Sequence, residues 1–295
     1  MIATVPDDLT GLSDTDLQTL ANELLTLQAK DRQENSILYY KPVSDIARQV
    51  HISTKRTIGV GGGNGSSKTE TALAELLIRA TGCIPFSLRD TYPREKLRGP
   101  ITCRVVCESL TTTLVPIILP KLQYWRWNGV SEQGGAQGHW GWIPRSHLIG
   151  GSWKLSWNEK LRLLRLLYRD PDTGVPKGES LIQFMSYDQD ATDFASGDFH
   201  FVLHDEPPKK AIWDENIARV MRVDGTIMLA MTWPDDPAIP MDWIMDDIYE
   251  KAQPGPTRDP NVEWYTLYTT DNPHLNQNAV AERSAQLSFP TRQAR

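Results

Sequence analysis

The chain has 295 residues, enough for one large domain or two small ones. Its hydrophobic fraction of 40% and charged fraction of 23% are ordinary for a globular protein, and no apolar run has the roughly 18 residues of a membrane span. The net charge of −6 excludes attraction to nucleic acid by the whole molecule, so any DNA contact must use local patches of Lys and Arg. The N-terminus lacks the pattern of a signal peptide, and the three cysteines are interpreted as reduced thiols.

Two helical segments are predicted before the first core strand. Leucines at helical spacing cover residues 13–30, and Ser13 with Asp16 three residues later is typical of a capped helix start. A second, shorter helix is predicted to end near His51. We interpret residues 1–50 as a helical extension, or lid, and residues 51–295 as the core domain.

A glycine-rich loop separates a predicted strand over residues 57–60 from a predicted helix over residues 68–81. Strand, glycine-rich loop, Lys-Thr and helix is the Walker A arrangement, in which backbone N–H groups surround the phosphates of a nucleotide. Lys68 is expected to reach the β- and γ-phosphates, and the Thr69 hydroxyl to be a ligand of Mg²⁺. The match is incomplete because serine occupies the last glycine position. The predicted nucleotide-binding residues are Gly62, Gly63, Asn64, Gly65, Ser66, Ser67, Lys68 and Thr69.

The middle of the chain predicts further strands and helices. A strand over residues 101–107 is followed by an apolar helical stretch to about residue 127, then by a long glycine-rich loop over 128–151. Further strands are expected at 153–158, 161–168 and 181–187. Strands that alternate with helices predict an α/β fold, with a mostly parallel central sheet flanked by helices.

An apolar, β-prone segment over residues 199–206 ends in two acids. In a P-loop protein, Asp205 would hold Mg²⁺ and Glu206 would activate the attacking water; an ordinary strand followed by a polar turn is the alternative. His204 interrupts the apolar run and is expected to be packed or hydrogen-bonded. A third strand over 226–232 ends at Thr232, where motor ATPases sense the γ-phosphate, although threonine is also common in strands.

Taken together, these segments resemble the large terminase subunit of tailed bacteriophages, the ATPase that pumps DNA into a capsid. The resemblance covers roughly residues 39–295. The matching segments are residues 62–70, similar to the loop GGNRSGKTE; residues 194–197, loosely similar to an F-x-G step; residues 204–207, similar to the end of a Walker B strand; Thr232, at the position of a coupling motif; and residues 270–275, similar to a DNPHL segment.

The resemblance implies a RecA-like P-loop fold of the additional-strand type, with ATP as the substrate and Mg²⁺ as the cofactor. It implies Lys68, Glu206 and Thr232 as catalytic residues, and Thr69 and Asp205 as metal ligands. The implied partners are double-stranded DNA, the portal protein, the small terminase subunit and further copies in a ring on the capsid, with no membrane. The implied location is the cytoplasm of the infected bacterium, transiently on the procapsid.

Two positions depart from the family pattern. Gly65 stands where the family has the arginine thought to trigger hydrolysis, and Ser67 stands where it has glycine. Slow basal turnover is therefore expected, unless an arginine acts from a neighbouring subunit. The candidates for such a residue are Arg94, Arg98, Arg126, Arg219 and Arg222.

A nuclease domain is not expected in this chain. Glu282 is the one acid after Asp271, too few for a two-metal site. Three alternatives to the packaging motor remain from the sequence: a helicase-like nucleic-acid translocase, a P-loop kinase of a small molecule, and a non-enzymatic subunit that only binds nucleotide or is purely structural.

Overall fold

The computed structural model describes residues 13–123, 126–130, 136–139, 141–233 and 241–286. The strands are β1 Thr57–Gly62, β2 Thr102–Cys107, β3 Arg126–Val130, β4 Ala136–His139, β5 Trp157–Asn158, β6 Leu163–Arg169, β7 Pro176–Ser186, β8 Phe201–Asp205, β9 Thr226–Met231 and β10 Val262–Leu267. The helices are α1 Asp14–Glu34, α2 Asp45–Ile52, α3 Lys68–Thr81, α4 Leu119–Leu122, α5 Trp153–Ser156, α6 Lys210–Met221, α7 Asp242–Ile244, α8 Glu250–Ala252 and α9 Gln277–Gln286.

Within the described ranges, eight strands form one sheet in the order β10-β1-β9-β8-β2-β7-β6-β5. The six strands from β10 to β7 are parallel, and β6 and β5 continue the sheet antiparallel. Strands β8 and β9 are buried along their whole length, as expected where both faces of a parallel sheet are covered. The carboxyl ends of β1, β8 and β9 therefore meet at one edge, where α/β proteins bind their ligands.

Helix α3 packs against the sheet and is buried along nearly its whole length. It ends at Gly82, whose φ of 76° is left-handed and whose position leaves no room for a side chain, because a Cβ would lie 2.1 Å from the Arg169 carbonyl oxygen. The buried Glu75 carboxylate of α3 is paired with Arg79 at 2.7 Å and Lys96 at 2.6 Å, and it lies 2.9 Å from His51 Nδ1 of α2. This buried cluster joins the second helix of the chain to the helix that follows the glycine-rich loop.

The N-terminal helix α1 begins at Ser13, whose side chain and backbone form a capping box with Asp16, as the sequence indicated. Most of α1 is exposed, including Leu25 at 63%. No described helix is both long enough and apolar enough to cross a membrane.

Three sequence expectations outside the site are wrong in detail. The stretch after β2 is helical as predicted, but it is a π-helix, Leu110–Ile118, with Pro116 inside it, and it continues as the short α4 and ends at Leu122 instead of near residue 127. Residues 128–151 contain part of the β3–β4 hairpin instead of an unbroken loop. Residues 153–158 form α5 and a two-residue strand instead of one strand. A short apolar run has no periodicity that distinguishes a helix from a strand.

Candidate active site

The glycine-rich loop runs from the end of β1 to the first residue of α3. Two of its residues have left-handed backbones, Gly65 with φ 83° and Ser67 with φ 67°. Ser67 is thus strained at the position where the resemblance expects glycine. At the start of the loop, a Cβ on Gly62 would lie 2.3 Å from the Leu267 carbonyl oxygen of β10, so this position also requires glycine.

Lys68 lies inside the curl of the loop. Its Nζ donates to the Gly63 carbonyl oxygen at 3.0 Å, and its side chain is largely buried. Burial lowers the pKa of Lys68, and the charges of Glu206 and Asp205 oppose that shift. The ammonium is therefore held at the N-terminus of α3 by the carbonyl oxygen of Gly63.

Thr69 and Asp205 are brought together although they are far apart in the chain. The Thr69 hydroxyl donates to Asp205 Oδ1 at 2.8 Å. Burial raises the pKa of Asp205 to about 6, with the bond from Thr69 and the charges of Lys68 and Lys121 acting in the opposite direction. A hydroxyl and a carboxylate supply the oxygen ligands that a hard cation such as Mg²⁺ prefers. These two residues therefore fit the predicted metal.

Glu206 lies immediately after β8 in a left-handed backbone conformation with φ 72°. Its carboxylate accepts hydrogen bonds from the Thr232 backbone N–H at 2.8 Å and from the Thr232 hydroxyl at 3.2 Å. Burial raises the pKa of Glu206, and the bonds from Thr232 limit the rise. Thr232 thus contacts the second acid directly, a partner that the sequence did not predict for it.

A buried chain of hydrogen bonds supports the backbone of Glu206 from beneath the sheet edge. The Tyr187 hydroxyl donates to the Glu206 carbonyl oxygen at 2.7 Å and lies 3.2 Å from His204 Nδ1. His204 Nε2 lies 3.2 Å from Asn216 Nδ2, and the Asn216 amide oxygen accepts from Arg104 at 2.8 Å. A neutral His204 with its proton on Nδ1 satisfies every group in this chain, and burial lowers the pKa of His204 to about 3.

Arg104 is fully buried at the far end of that chain. Its guanidinium donates to the carbonyl oxygens of Phe194 and Ser196, both at 3.1 Å, and lies 4.0 Å from the centre of the Phe199 ring. It therefore fixes the turn over residues 194–197 that resembles the F-x-G step. His204 is hydrogen-bonded and packed, as the sequence indicated.

The segment after β10 closes over the glycine-rich loop from outside. The Thr269 hydroxyl donates to the Asn64 carbonyl oxygen at 3.0 Å. The Asn272 amide donates to the Gly65 carbonyl oxygen at 2.7 Å and to the Ser67 hydroxyl at 3.1 Å. Sequence reasoning gave these residues no role, although the DNPHL match that contains Asn272 was the signal available.

A cavity of about 770 Å³ opens over the loop. Of the predicted site residues, Asn64, Gly65, Ser67, Lys68, Thr69 and Glu206 line it. The other end is lined by residues of the N-terminal segments, among them Tyr39 and Tyr40. Tyr40 is buried, with its hydroxyl 3.0 Å from His51 Nε2, whereas Tyr39 is only partly buried.

The arginines considered as trans-acting residues lie away from this cavity. Arg94 pairs with Asp172, Arg98 with Asp224, Arg219 with Glu215 and Arg222 with Asp198. The side chain of Arg126 lies outside the described part of the structure.

Comparison with known proteins shows which fold this is. No protein-family model and no curated protein matches the chain. The large terminase ATPase domain of Thermus phage P74-26 is similar with a TM-score of 0.52 at 12% identity, over 88% of this chain and 94% of that one. A mutant of the same domain gives a TM-score of 0.52 at 13% identity, over 88% and 94% of the two chains.

The large terminase of a thermophilic bacteriophage in complex with ADP is a further match, with a TM-score of 0.48 at 13% identity, over 89% of this chain and 51% of that one. The two ATPase-domain matches confirm the predicted fold class, a P-loop α/β domain with a mostly parallel sheet flanked by helices. The chain therefore has the fold of the ATPase domain of phage large terminases.

Proposed function

We propose that the protein is the ATP-hydrolysing motor that moves double-stranded viral DNA into a procapsid. The observation that carries this proposal is the Thr69–Asp205 hydrogen bond of 2.8 Å, which brings the glycine-rich loop to the acidic end of β8. Lys68 and Glu206 line the same cavity, so the groups required for phosphoryl transfer to water lie together on one sheet edge. The fold shared with phage terminase ATPase domains supports the same function.

Each residue of the site has a separate role in ATP hydrolysis. Backbone N–H groups of residues 63–69 and the Lys68 ammonium bind the phosphates of ATP, for which Lys68 must leave the Gly63 carbonyl oxygen. Thr69 and Asp205 would hold Mg²⁺, which neutralises charge on the phosphates when bound. Glu206 aligns a water molecule and accepts its proton, and the raised pKa of Glu206 makes it a stronger base than an exposed carboxylate.

Thr232 links the nucleotide to movement. Because both its backbone N–H and its hydroxyl bind Glu206, any shift of Glu206 toward a bound nucleotide breaks or reorients two hydrogen bonds at the end of β9. We assign to this contact the coupling of ATP hydrolysis to movement of the sheet. Movement of the sheet would then act on DNA gripped non-specifically through its phosphates.

The assembly follows from the same proposal. Residues 51–295 are the motor core and residues 1–50 a helical extension. The chain would work as a ring on the portal of the procapsid, in the cytoplasm of the infected bacterium, with a small terminase subunit delivering the DNA.

The test is ATP turnover by the purified chain with and without double-stranded DNA, beside Glu206→Ala and the exposed-acid control Glu159→Ala. We expect turnover to rise with DNA, to disappear in Glu206→Ala and to persist in Glu159→Ala. Turnover that ignores DNA contradicts the motor function and favours the kinase alternative. A wild type that binds ATP but never hydrolyses it, even when concentrated enough to assemble, contradicts the hydrolytic mechanism.

A further inference from the structure

The cavity over the glycine-rich loop has a positive charge that the motifs did not identify. Besides Lys68, the basic side chains that line it are Arg32, Lys41 and Lys121. Arg32 lies 6.0 Å from the centre of the Tyr39 ring, and Lys41 follows the same segment, so both belong to the N-terminal end of the cavity. Lys121, from α4, lies instead beside the first turn of α3.

Lys121 is held there by the residue that follows Thr69. Its Nζ donates to Glu70 Oε2 at 2.6 Å, and the Trp142 indole N–H donates to the other oxygen of the same carboxylate. The Lys121 side chain is 37% exposed and that of Glu70 is 24% exposed, so both face the cavity without being sealed in it. Lys121, Glu70, Thr69 and Lys68 all line the same cavity.

We propose that Lys121 binds the terminal phosphates of the nucleotide, and that Glu70 holds its ammonium in position until the nucleotide arrives. This inference rests on the proposed ATPase function and adds a substrate-binding residue to it. Lys121 thereby supplies, within the same chain, a positive charge that the loop lacks at Gly65.

The loop itself is poorly suited to supply that charge. Gly65 has φ 83°, a backbone conformation that a side chain rarely adopts, and a Cβ there would lie 3.0 Å from Leu275 Cδ1. An arginine at this position would therefore strain the loop and press on the segment that closes over it. The lysine from α4 reaches the same cavity without changing the loop.

Transfer of the Lys121 ammonium from Glu70 to the phosphates is electrostatically favourable. A triphosphate carries more negative charge than one carboxylate, and a lysine ammonium is a mobile point charge on a flexible chain. After Lys121 leaves, Glu70 keeps the hydrogen bond from Trp142. Glu70 would otherwise be an acid beside the phosphates, so its removal should favour nucleotide binding.

The experiment measures the affinities of wild type, Lys121→Met, Lys121→Arg, Glu70→Gln and the double variant for ATP and ADP, with single-turnover hydrolysis. Lys154→Met, an exposed lysine on α5, is the control. We expect Lys121→Met to weaken ATP binding by about tenfold or more, with a smaller effect on ADP, and Lys121→Arg to restore much of the loss. Glu70→Gln should tighten ATP binding, and Lys154→Met should match the wild type.

The double variant distinguishes two possible roles of Lys121, binding of phosphate and neutralisation of the Glu70 charge. If Lys121 contacts phosphate, Glu70→Gln combined with Lys121→Met stays weak for ATP. If Lys121 only neutralises Glu70, the double variant regains wild-type affinity and the proposal is overturned. It is equally overturned if Lys121→Met, with an unchanged melting temperature, keeps the wild-type ratio of ATP to ADP affinity. A wild type that binds neither nucleotide would instead overturn the proposed function itself.

Discussion

The two halves of the candidate site are held in opposite ways. The acidic end of β8 rests on a buried polar chain that runs from Tyr187 through His204 and Asn216 to Arg104. The glycine-rich loop is held from outside, by Thr269 and Asn272 of the segment after β10. The acids are therefore fixed by the interior of the domain, whereas the outer contacts of the loop, from Thr269 and Asn272, are only partly buried or exposed.

This difference indicates which half moves. A group supported by several buried hydrogen bonds shifts only if the interior rearranges, but a loop with a few surface contacts can open at low cost. We infer that nucleotide binding changes the loop and its outer segment first, and that Glu206 shifts only after the loop has closed on the nucleotide. Substitutions beneath the acids should accordingly cost stability, and substitutions around the loop should cost nucleotide affinity.

The largest effect is expected for Arg104→Met. The change leaves the carbonyl oxygens of Phe194 and Ser196 and the Asn216 amide without their buried donor, at about 1 kcal/mol or more each. Together with lost packing on Phe199, the free energy of unfolding should fall by about 3–5 kcal/mol.

Denaturant unfolding measures that loss. Arg165→Met, which removes an exposed pair with Glu179, is the matched control and should change stability by less than about 1 kcal/mol. An Arg104 variant as stable as this control would show that the interior does not hold the acidic end.

The second effect is a gain in stability from Asp205→Asn. The pKa of Asp205 rises from 3.8 to about 6 in the folded protein, so the folded state binds the proton more tightly than the unfolded state. Stability from this group is complete below about pH 4 and is lost as pH rises through about 6. At pH 7 the variant should be more stable than the wild type by roughly 2 kcal/mol, with no turnover.

Thermal unfolding of the nucleotide-free protein from pH 4 to pH 7 tests this sign. The advantage of the variant should shrink as pH falls from 7 toward 4, because the Asp205 carboxyl of the folded wild type becomes protonated over that range. An advantage that grows toward pH 4 would contradict the raised pKa.

Tyr187→Phe should affect turnover more than binding. It removes the hydrogen bond to the Glu206 carbonyl oxygen, and Glu206 has a left-handed backbone that this bond helps to hold. We expect hydrolysis to slow by about tenfold with the affinity for ATP nearly unchanged. Tyr168→Phe, at another buried tyrosine, is the control. Equal losses in rate and affinity would argue against a positioning role.

Asn272→Ala should give the reverse pattern. The loop loses the donor to the Gly65 carbonyl oxygen and to the Ser67 hydroxyl, so more of its conformations no longer fit the phosphates. We expect ATP affinity to fall by roughly fivefold, with a smaller change in the rate of bound ATP hydrolysis. Calorimetric titration against Asn278→Ala, an exposed position on α9, measures it. An unchanged affinity would mean that the outer segment does not shape the loop.

The sequence predicted the parts of the site that are local in the chain. Glycine-rich loop, Lys-Thr and helix are contiguous, and the acids end an apolar strand, so phosphate chemistry and sheet geometry place them without further information. The supports are not local: Arg104 meets Asn216, and Asn272 meets Gly65, across the whole fold with no period or spacing to indicate them. His204 and Arg104, polar residues within predicted apolar strands, were the visible signs of the polar chain.

The smallest effect is expected for Ser67→Gly, because two terms of similar size oppose each other. Glycine removes the strain of a left-handed serine, worth about 1 kcal/mol. It also removes the hydroxyl that accepts from Asn272 at 3.1 Å, worth about 0.5–1 kcal/mol. The net change in the free energy of unfolding should stay within about 0.5 kcal/mol.

In an Asn272→Ala background only the strain remains, so the same substitution should there stabilise the protein by about 1 kcal/mol. Denaturant unfolding with and without Ser67→Gly, in the wild type and in Asn272→Ala, measures the difference. Equal changes in the two backgrounds would mean that the Ser67 hydroxyl takes no part in holding the loop.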